Sequence, residues 1–213
     1  MPTVNAANTY GKVVIVQVFC GKTLNQFSHV ITGTQKNDVL IGTSGNDLIQ
    51  GLGGNDVMMG KEGDDCLVGG MGNDKISGGK GNDMIIGQEG NDRIFGNDGN
   101  DLIQGGTGND MISGGNGNDT IDGEEGDDKI NGGKGNDKLN GGKGNDKIYG
   151  NQDNDTIHGG DNDDKIHGGD GNDILTGDSG IDACYGGSGN NTIDHLTCES
   201  IKPMEDEDDE SED

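Results

Sequence analysis

The sequence predicts an all-β solenoid in which short strands stack on one another along the chain. Three observations lead to this fold class: a nine-residue period from Gly33 to Asp194, glycine at the first position of every unit, and an apolar residue at the eighth. The period runs through eighteen units without insertion or deletion. Such short units cannot bury a core alone, so neighbouring units must stack to form one.

Within each unit, polar and apolar positions predict a turn followed by a strand. Position four is glycine in fifteen units, with Lys36, Asp153 and Asn162 as exceptions, and position six is aspartate in all units but the last, which has Asn191. Glycines at positions one and four permit positive φ, so positions one to six are expected to turn sharply with their carbonyls directed at a common point. Positions seven to nine are expected to form a short strand with position eight facing inward. The core would then be a thin stack of these residues.

The composition excludes several classes of partner and favours cations. The chain has 45 glycines, no tryptophan, 27% hydrophobic residues and a formal net charge of -26. Such a chain buries too little apolar surface to offset its ordering entropy unaided. Nucleic acid is excluded as a partner because its affinity depends on Lys and Arg contacts to phosphate. A flexible low-complexity linker is the alternative interpretation, but linkers tolerate slips in the period and this array has none.

The units resemble the RTX, or haemolysin-type, calcium-binding nonapeptide G-G-x-G-x-D-x-U-x. Gly78–Ile86 reads GGKGNDMII and Gly105–Ser113 reads GGTGNDMIS, and the resemblance covers about three quarters of the chain. It implies a right-handed parallel β-roll of about nine coils, each made of two units, with short caps. The expected organisation is an N-terminal strand and cap at 1–32, the repeat array at 33–194, and a C-terminal cap and acidic tail at 195–213.

The resemblance further implies calcium ions between stacked turns, held by main-chain carbonyls and the position-six aspartates. Two edges of nine turns give at most 16 slots. Six of these touch a turn that departs from the pattern, at Lys36, Asp153, Asn162 or Asn191, and ten have undamaged turns. Calcium accepts six to eight oxygen ligands, which such turns supply. The candidate ligands are Asp38, Asp47, Asp56, Asp65, Asp74, Asp83, Asp92, Asp101, Asp110, Asp119, Asp128, Asp137, Asp146, Asp155, Asp164, Asp173 and Asp182.

Folding is expected to depend on calcium. Without ions, stacked aspartates would lie about one strand spacing apart, roughly 4.8 Å, where like charges repel. Binding free energy would then contribute directly to folding free energy.

The four cysteines permit three complete disulfide pairings, and none lies in a CxxC motif. Disulfides are favoured over free thiols. A bridge between Cys184 and Cys198 would tie the chain across the end of the roll, and the family has similar cysteines after its terminal repeats. A bridge between Cys20 and Cys66 is the second candidate.

One outer face carries an apolar strip, which we define as Leu48, Cys66, Val68, Met84, Ile86 and Leu102. Large apolar patches are usually covered. Two alternatives remain open: the strand at Val13–Phe19 folds back over the strip, or the strip is a face for self-association. Residues 24–32 end in a strand-like Val30-Ile31-Thr32 and are expected to form an incomplete first half-coil.

Calcium binding without catalysis is the expected function. The 32 residues before the array and the 19 after it are too few for a catalytic domain, and His158 and His167 fall on opposite sheets. A calcium-stiffened adhesion or self-associating scaffold module is the alternative. Ice binding is disfavoured because threonine does not form a regular row.

An extracellular location is expected, since extracellular calcium modules bind at about 10⁻⁴ to 10⁻³ M. The resemblance implies secretion, with type I secretion as the expected route because no N-terminal signal peptide is evident. No apolar stretch approaches the roughly 20 residues of a membrane span. The acidic tail Glu205–Asp213 is expected to be solvated and disordered.

Overall fold

The computed structural model describes residues 3–9 and 12–200 of the chain, and the side chains of residues 20–198. The described chain is a parallel β-solenoid of about nine coils, which confirms the predicted β-roll. Each coil contains two units, so each residue pairs with the residue eighteen positions along, as Ile85 does with Ile103. The packing of the Val13–Phe19 side chains and the acidic tail Glu205–Asp213 lie outside the described residues.

A small antiparallel sheet precedes the solenoid. Its order is β1-β2-β3, and the second strand is rich in β-branched residues. A single 3-10 turn, Leu24–Gln26, connects this sheet to the first strand of the solenoid. The three strands are β1 (Thr3–Thr9), β2 (Lys12–Phe19) and β3 (Lys22–Thr23).

Two parallel sheets form the solenoid, and successive strands alternate between them. The even-numbered strands from β4 to β22 form one ten-stranded sheet, and the odd-numbered strands from β5 to β23 form the other. In chain order the strands are β4 (His29–Thr32), β5 (Val39–Ile41), β6 (Asp47–Gly53), β7 (Val57–Glu62), β8 (Cys66–Met71), β9 (Lys75–Lys80), β10 (Met84–Glu89), β11 (Arg93–Asp98), β12 (Leu102–Thr107), β13 (Met111–Asn116), β14 (Thr120–Glu125), β15 (Lys129–Lys134), β16 (Lys138–Lys143), β17 (Lys147–Gln152), β18 (Thr156–Asp161), β19 (Lys165–Asp170), β20 (Ile174–Ser179), β21 (Asp182–Ser188), β22 (Thr192–Ile193) and β23 (Cys198–Ser200).

Most strands are longer than the sequence predicted. A typical strand has six residues and runs from position seven of one unit to position three of the next, so the prediction of strands confined to positions seven to nine was wrong. The ladder continues because position two pairs with the same position of the next coil, as Gln88 does with Gly106. The turn is thereby reduced to positions four to six.

The left-handed residues lie at positions two and four, not at one and four. Gly106 and Gly108 in the ninth unit have φ of +119° and +117°, whereas Gly105 at position one lies outside the left-handed range. Several side chains occupy position two in this conformation, including Leu52, Lys61 and Gln88. Left-handed backbone costs an ordinary residue about 1–2 kcal/mol. The frequent glycine at position two relieves this cost.

The apolar core is one narrow stack between the two sheets, formed by the position-eight side chains of both. These side chains are almost fully buried, as the sequence predicted, and Cys198 joins them from beyond the array. Ile31 and Ile193 pack against the stack at its two ends. The buried members of the stack are Leu40, Ile49, Met58, Leu67, Ile76, Ile85, Ile94, Ile103, Ile112, Ile121, Ile130, Leu139, Ile148, Ile157, Ile166, Leu175, Cys184 and Cys198.

At each end of the solenoid, a strand from outside the array extends one of the two sheets. At the N-terminal end, Val30, Ile31 and Thr32 of β4 pair with β6, which confirms the predicted half-coil. At the C-terminal end, β23 pairs with β21, and a disulfide joins Cys184 to Cys198. These strands cover backbone edges that would otherwise be open to pairing.

The N-terminal part of the apolar strip is covered by the chain itself. A second disulfide joins Cys20 to Cys66, and Leu48 and Cys66 are completely buried in a small cluster with Phe27. Val68 packs against the same cluster, whereas Leu102 remains 41% exposed. The side chains of Cys20 and Phe27 therefore cover one end of the strip, and Cys20 directly follows the segment Val13–Phe19 that the sequence proposed as the cover.

Candidate metal sites

The position-six aspartates are buried in two rows, one along each edge of the solenoid. From Asp47 to Asp182 they are 0–3% exposed, although each side chain is charged in water. Each lies at the end of a turn, and one carboxylate oxygen accepts a hydrogen bond from the coil before it. Asp110 Oδ1, for example, accepts from the Asp92 N–H at 2.7 Å. The ladder fixes the carboxylate in the same orientation in every coil.

The second carboxylate oxygen has no hydrogen bond in the turns from Asp56 to Asp173. In the ninth unit, a Cβ placed on Gly105 would collide with this oxygen of Asp110 and with the carbonyl oxygen of Gly123 in the next coil. A carboxylate oxygen and a main-chain carbonyl oxygen thus face one small space. Burying an ionised oxygen without a partner is costly, so each such space requires a cation or a proton.

Position one is glycine because of this space. A side chain there would fill the region between the aspartate and the next coil, and the same collision recurs at Gly51, Gly87 and Gly141. The sequence analysis explained the glycine at position one by a positive φ, and that explanation was wrong. The collision depends on a residue eighteen positions away, so it cannot be read from one unit.

Burial raises the pKa of the carboxyls in these rows. Desolvation is the largest cause, the backbone hydrogen bond opposes it, and neighbouring aspartates on the same edge generally add to it. The pKa is raised to about 6 for Asp65, Asp92, Asp101, Asp110 and Asp146, to about 7 for Asp74, Asp137, Asp155 and Asp164, and to about 8 for Asp83 and Asp128. The ionised rows are therefore strongly unfavourable without a counter-charge.

A second ladder at position five escaped the sequence analysis. The Oδ1 atom of Asn91 accepts the backbone N–H of Asn109 at 2.8 Å, and the same bond recurs along both edges. Position five is Asn or Asp in seventeen units, with Ile181 as the exception, so the signal was present in the sequence. These side chains hold adjacent turns at a constant spacing.

The first two turns differ from all later ones. Asp38 Oδ2 accepts hydrogen bonds from Thr34 N at 2.6 Å and Thr34 Oγ1 at 2.8 Å. Asp47 Oδ2 accepts the same pair from Thr43 at 2.6 and 2.9 Å. The sequence attributed the loss of the first slot to Lys36 and counted the turn of Asp47 as undamaged. In both turns the threonine at position two donates two hydrogen bonds to the aspartate Oδ2 atom, which is unpaired in later turns up to Asp173.

The later departures leave the turn intact. Asp153 and Asn162 occupy position four with φ of 76° and 83°, the left-handed conformation of the glycines they replace. Asn191 accepts the Asp173 N–H through Oδ1 at 2.8 Å, as an aspartate would. The sequence counted the slots at these three residues as departures from the pattern, and expected those of Asn162 to survive because asparagine tolerates left-handed backbone. The turn geometry is kept at all three residues.

The donors present fit a hard cation such as calcium. Among the described residues, no group of three or more His, Cys, Asp or Glu side chains is placed to hold a metal ion by itself. Calcium takes carbonyl and carboxylate oxygens together, and these are the atoms that face each inter-turn space. Neighbouring aspartates of one edge, such as Asp92 and Asp110, come together, whereas those of consecutive units lie on opposite edges.

Comparison with known families identifies the array. The sequence profile of the RTX calcium-binding nonapeptide repeat, four copies long, matches overlapping segments that together cover residues 32–193. The chain belongs to the RTX repeat family. A search of curated protein sequences returned no significant match.

Membership of the RTX repeat family implies calcium binding in a β-roll. RTX repeats are typically structural calcium-binding modules without catalytic activity, and His158 and His167 lie on opposite sheets in β18 and β19. RTX repeat proteins are typically secreted, and the two disulfides are compatible with an extracellular location. Within the described residues, no helix is long and apolar enough to cross a membrane.

Proposed function

We propose that this chain binds calcium in the inter-turn spaces of the β-roll and that binding drives its folding. The observation that supports this most is the row of buried carboxylate oxygens without hydrogen bonds, each facing a main-chain carbonyl. The proposed ligands are the position-six aspartates from Asp56 to Asp173, with the position-one carbonyl of the following coil. These turns offer fourteen slots, seven on each edge.

The proposed coupling to folding rests on charge and core size. Each strand contributes one apolar side chain to the core, and the chain carries a formal net charge of -26. Thirteen divalent ions would cancel that charge, and each would also satisfy a buried carboxylate. Without them the thin core has to oppose two rows of stacked like charges. The ions therefore contribute to the folded state itself.

A calcium titration followed by far-UV circular dichroism tests this function. The chelator-treated chain at pH 8 is expected to show little β signal, and the signal should rise cooperatively as calcium is added. Magnesium at the same concentrations serves as the control, because it demands octahedral geometry and gives up its waters reluctantly. Full β signal in excess chelator at this pH would refute the coupling.

We further propose that the module acts outside the cell, where calcium reaches the millimolar range, after secretion by a type I route. An adhesion or self-associating scaffold role is the second candidate. It is supported by the exposed end of the apolar strip at Leu102 and weakened by the burial of Leu48 and Cys66. Light scattering at millimolar calcium separates the two, since the scaffold role requires an oligomer.

A further inference from the structure

The first turn of each edge has a hydrogen-bond network where the turns from Asp56 to Asp173 have a carboxylate oxygen without a hydrogen bond. Thr43 donates its N–H and hydroxyl to Asp47 Oδ2, and its hydroxyl oxygen accepts the Gly45 N–H at 3.3 Å. The equivalent bonds join Thr34, Asp38 and the Lys36 N–H. Both turns therefore satisfy by hydrogen bonds the oxygen that has no hydrogen bond in the turns from Asp56 to Asp173.

The backbone of these turns differs in the same way. Position two is left-handed in every unit from the third to the last, but neither threonine adopts this conformation, and neither Lys36 nor Gly45 does at position four. Threonine is disfavoured in left-handed backbone because it is β-branched. It also occurs at position two only in these two units. Thr34 and Thr43 thus select a different turn.

His29 completes the network on one edge. Its Nδ1 atom lies 3.0 Å from Asp47 Oδ1, where later turns place the N–H of the residue eighteen positions upstream. Asp47 is fully buried, and both of its oxygens have partners. A buried carboxylate with three donors does not require a cation for its stability.

We infer that Thr34 and Thr43 replace calcium in the first turn of each edge, so the N-terminal end of the roll is a calcium-free cap. This inference rests on the proposed calcium function and adds which turns bind no ion. The threonine bonds satisfy Oδ2, the carboxylate oxygen that faces the following coil in later turns, so the first turn of each edge needs no ion between it and the next coil.

The test exchanges the residue at position two between a turn of the cap and a turn of the repeat array. Native mass spectrometry at saturating calcium then counts the ions bound to each variant. Thr43→Gly restores the sequence GGSGND in the second unit and is expected to bind one ion more than the unsubstituted protein. Gln88→Thr places threonine at position two of the seventh unit and is expected to bind one ion fewer. Thr107→Gly, at an exposed position three, and Gln88→Asn are controls that should leave the count unchanged.

The outcomes separate this inference from the proposed function. An equal count in Thr43→Gly and the unsubstituted protein, or calcium located beside Asp38 or Asp47 Oδ2 in a crystal of the unsubstituted protein, would overturn the inference. No calcium bound to any variant would overturn the proposed function instead. One additional ion in Thr43→Gly, together with one ion fewer in Gln88→Thr, would support the inference that threonine at position two prevents calcium binding in its turn.

Discussion

Gly105→Ala is expected to destroy one calcium slot and to destabilise the loaded roll by about 4 kcal/mol or more, a range reserved for severe packing defects. The added methyl group would meet Asp110 Oδ2 and the Gly123 carbonyl of the next coil, and also the Ile112 side chain. The Gly123 contact is with backbone, so relief requires the coils to separate. We expect a higher calcium midpoint in far-UV circular dichroism and a lower midpoint in urea at fixed calcium.

The control for Gly105→Ala is Gly21→Ala. Gly21 has a left-handed φ of +72°, but a Cβ there meets nothing within 4 Å. Its substitution therefore adds a left-handed backbone cost of about 1–2 kcal/mol without any collision, and it shows how far a loss of stability away from the slots changes the calcium midpoint. Equal calcium midpoints for the two variants would show that position-one glycine is not required to keep the slot open.

Without calcium, protonation of the aspartate rows is expected to stabilise the folded roll in part. The folded pKa values of Asp83 and Asp128 are raised to about 8, and most others in the rows to about 6 or 7, all above the ordinary value of 3.8. The folded chain therefore binds more protons than the unfolded chain. The resulting stabilisation is complete below about pH 4 and is lost as the pH rises through 6 to 8.

The measurement for this effect is far-UV circular dichroism of the calcium-depleted protein between pH 5 and pH 8.5. We expect β signal at the acidic end that disappears as the pH rises, with light scattering to exclude aggregation near the pI of about 4.1. Calcium should bind more weakly below pH 6, because protons compete for the same carboxylates. A calcium-free β signal that increases with pH would contradict this account of the rows.

The sequence predicted the features that repeat within one unit. Position eight is apolar in every unit and position six is acidic in all but the last. These local patterns were enough to place the core stack and the two aspartate rows. The half-coil at Val30–Thr32 followed from the same alternation. Each of these needs only the period and the inward direction of one side chain.

The features it missed depend on contacts between coils. Gly105 must be glycine because of Gly123, and the position-five ladder joins residues eighteen apart. The different turns at Thr34 and Thr43 could be predicted only by knowing that the aspartate oxygen reaches position two of its own unit. Asp153 was judged by its departure from glycine, although the backbone angle that it adopts is the deciding property.

Anomalous diffraction from crystals grown in calcium tests the central claim most directly. The account predicts two rows of seven peaks between nonapeptide turns, each peak beside the Oδ2 atom of an aspartate from Asp56 to Asp173, and no peak beside Asp38 or Asp47 Oδ2. Peaks confined to surface carboxylates, or inter-turn spaces that contain no calcium in a folded roll, would contradict it.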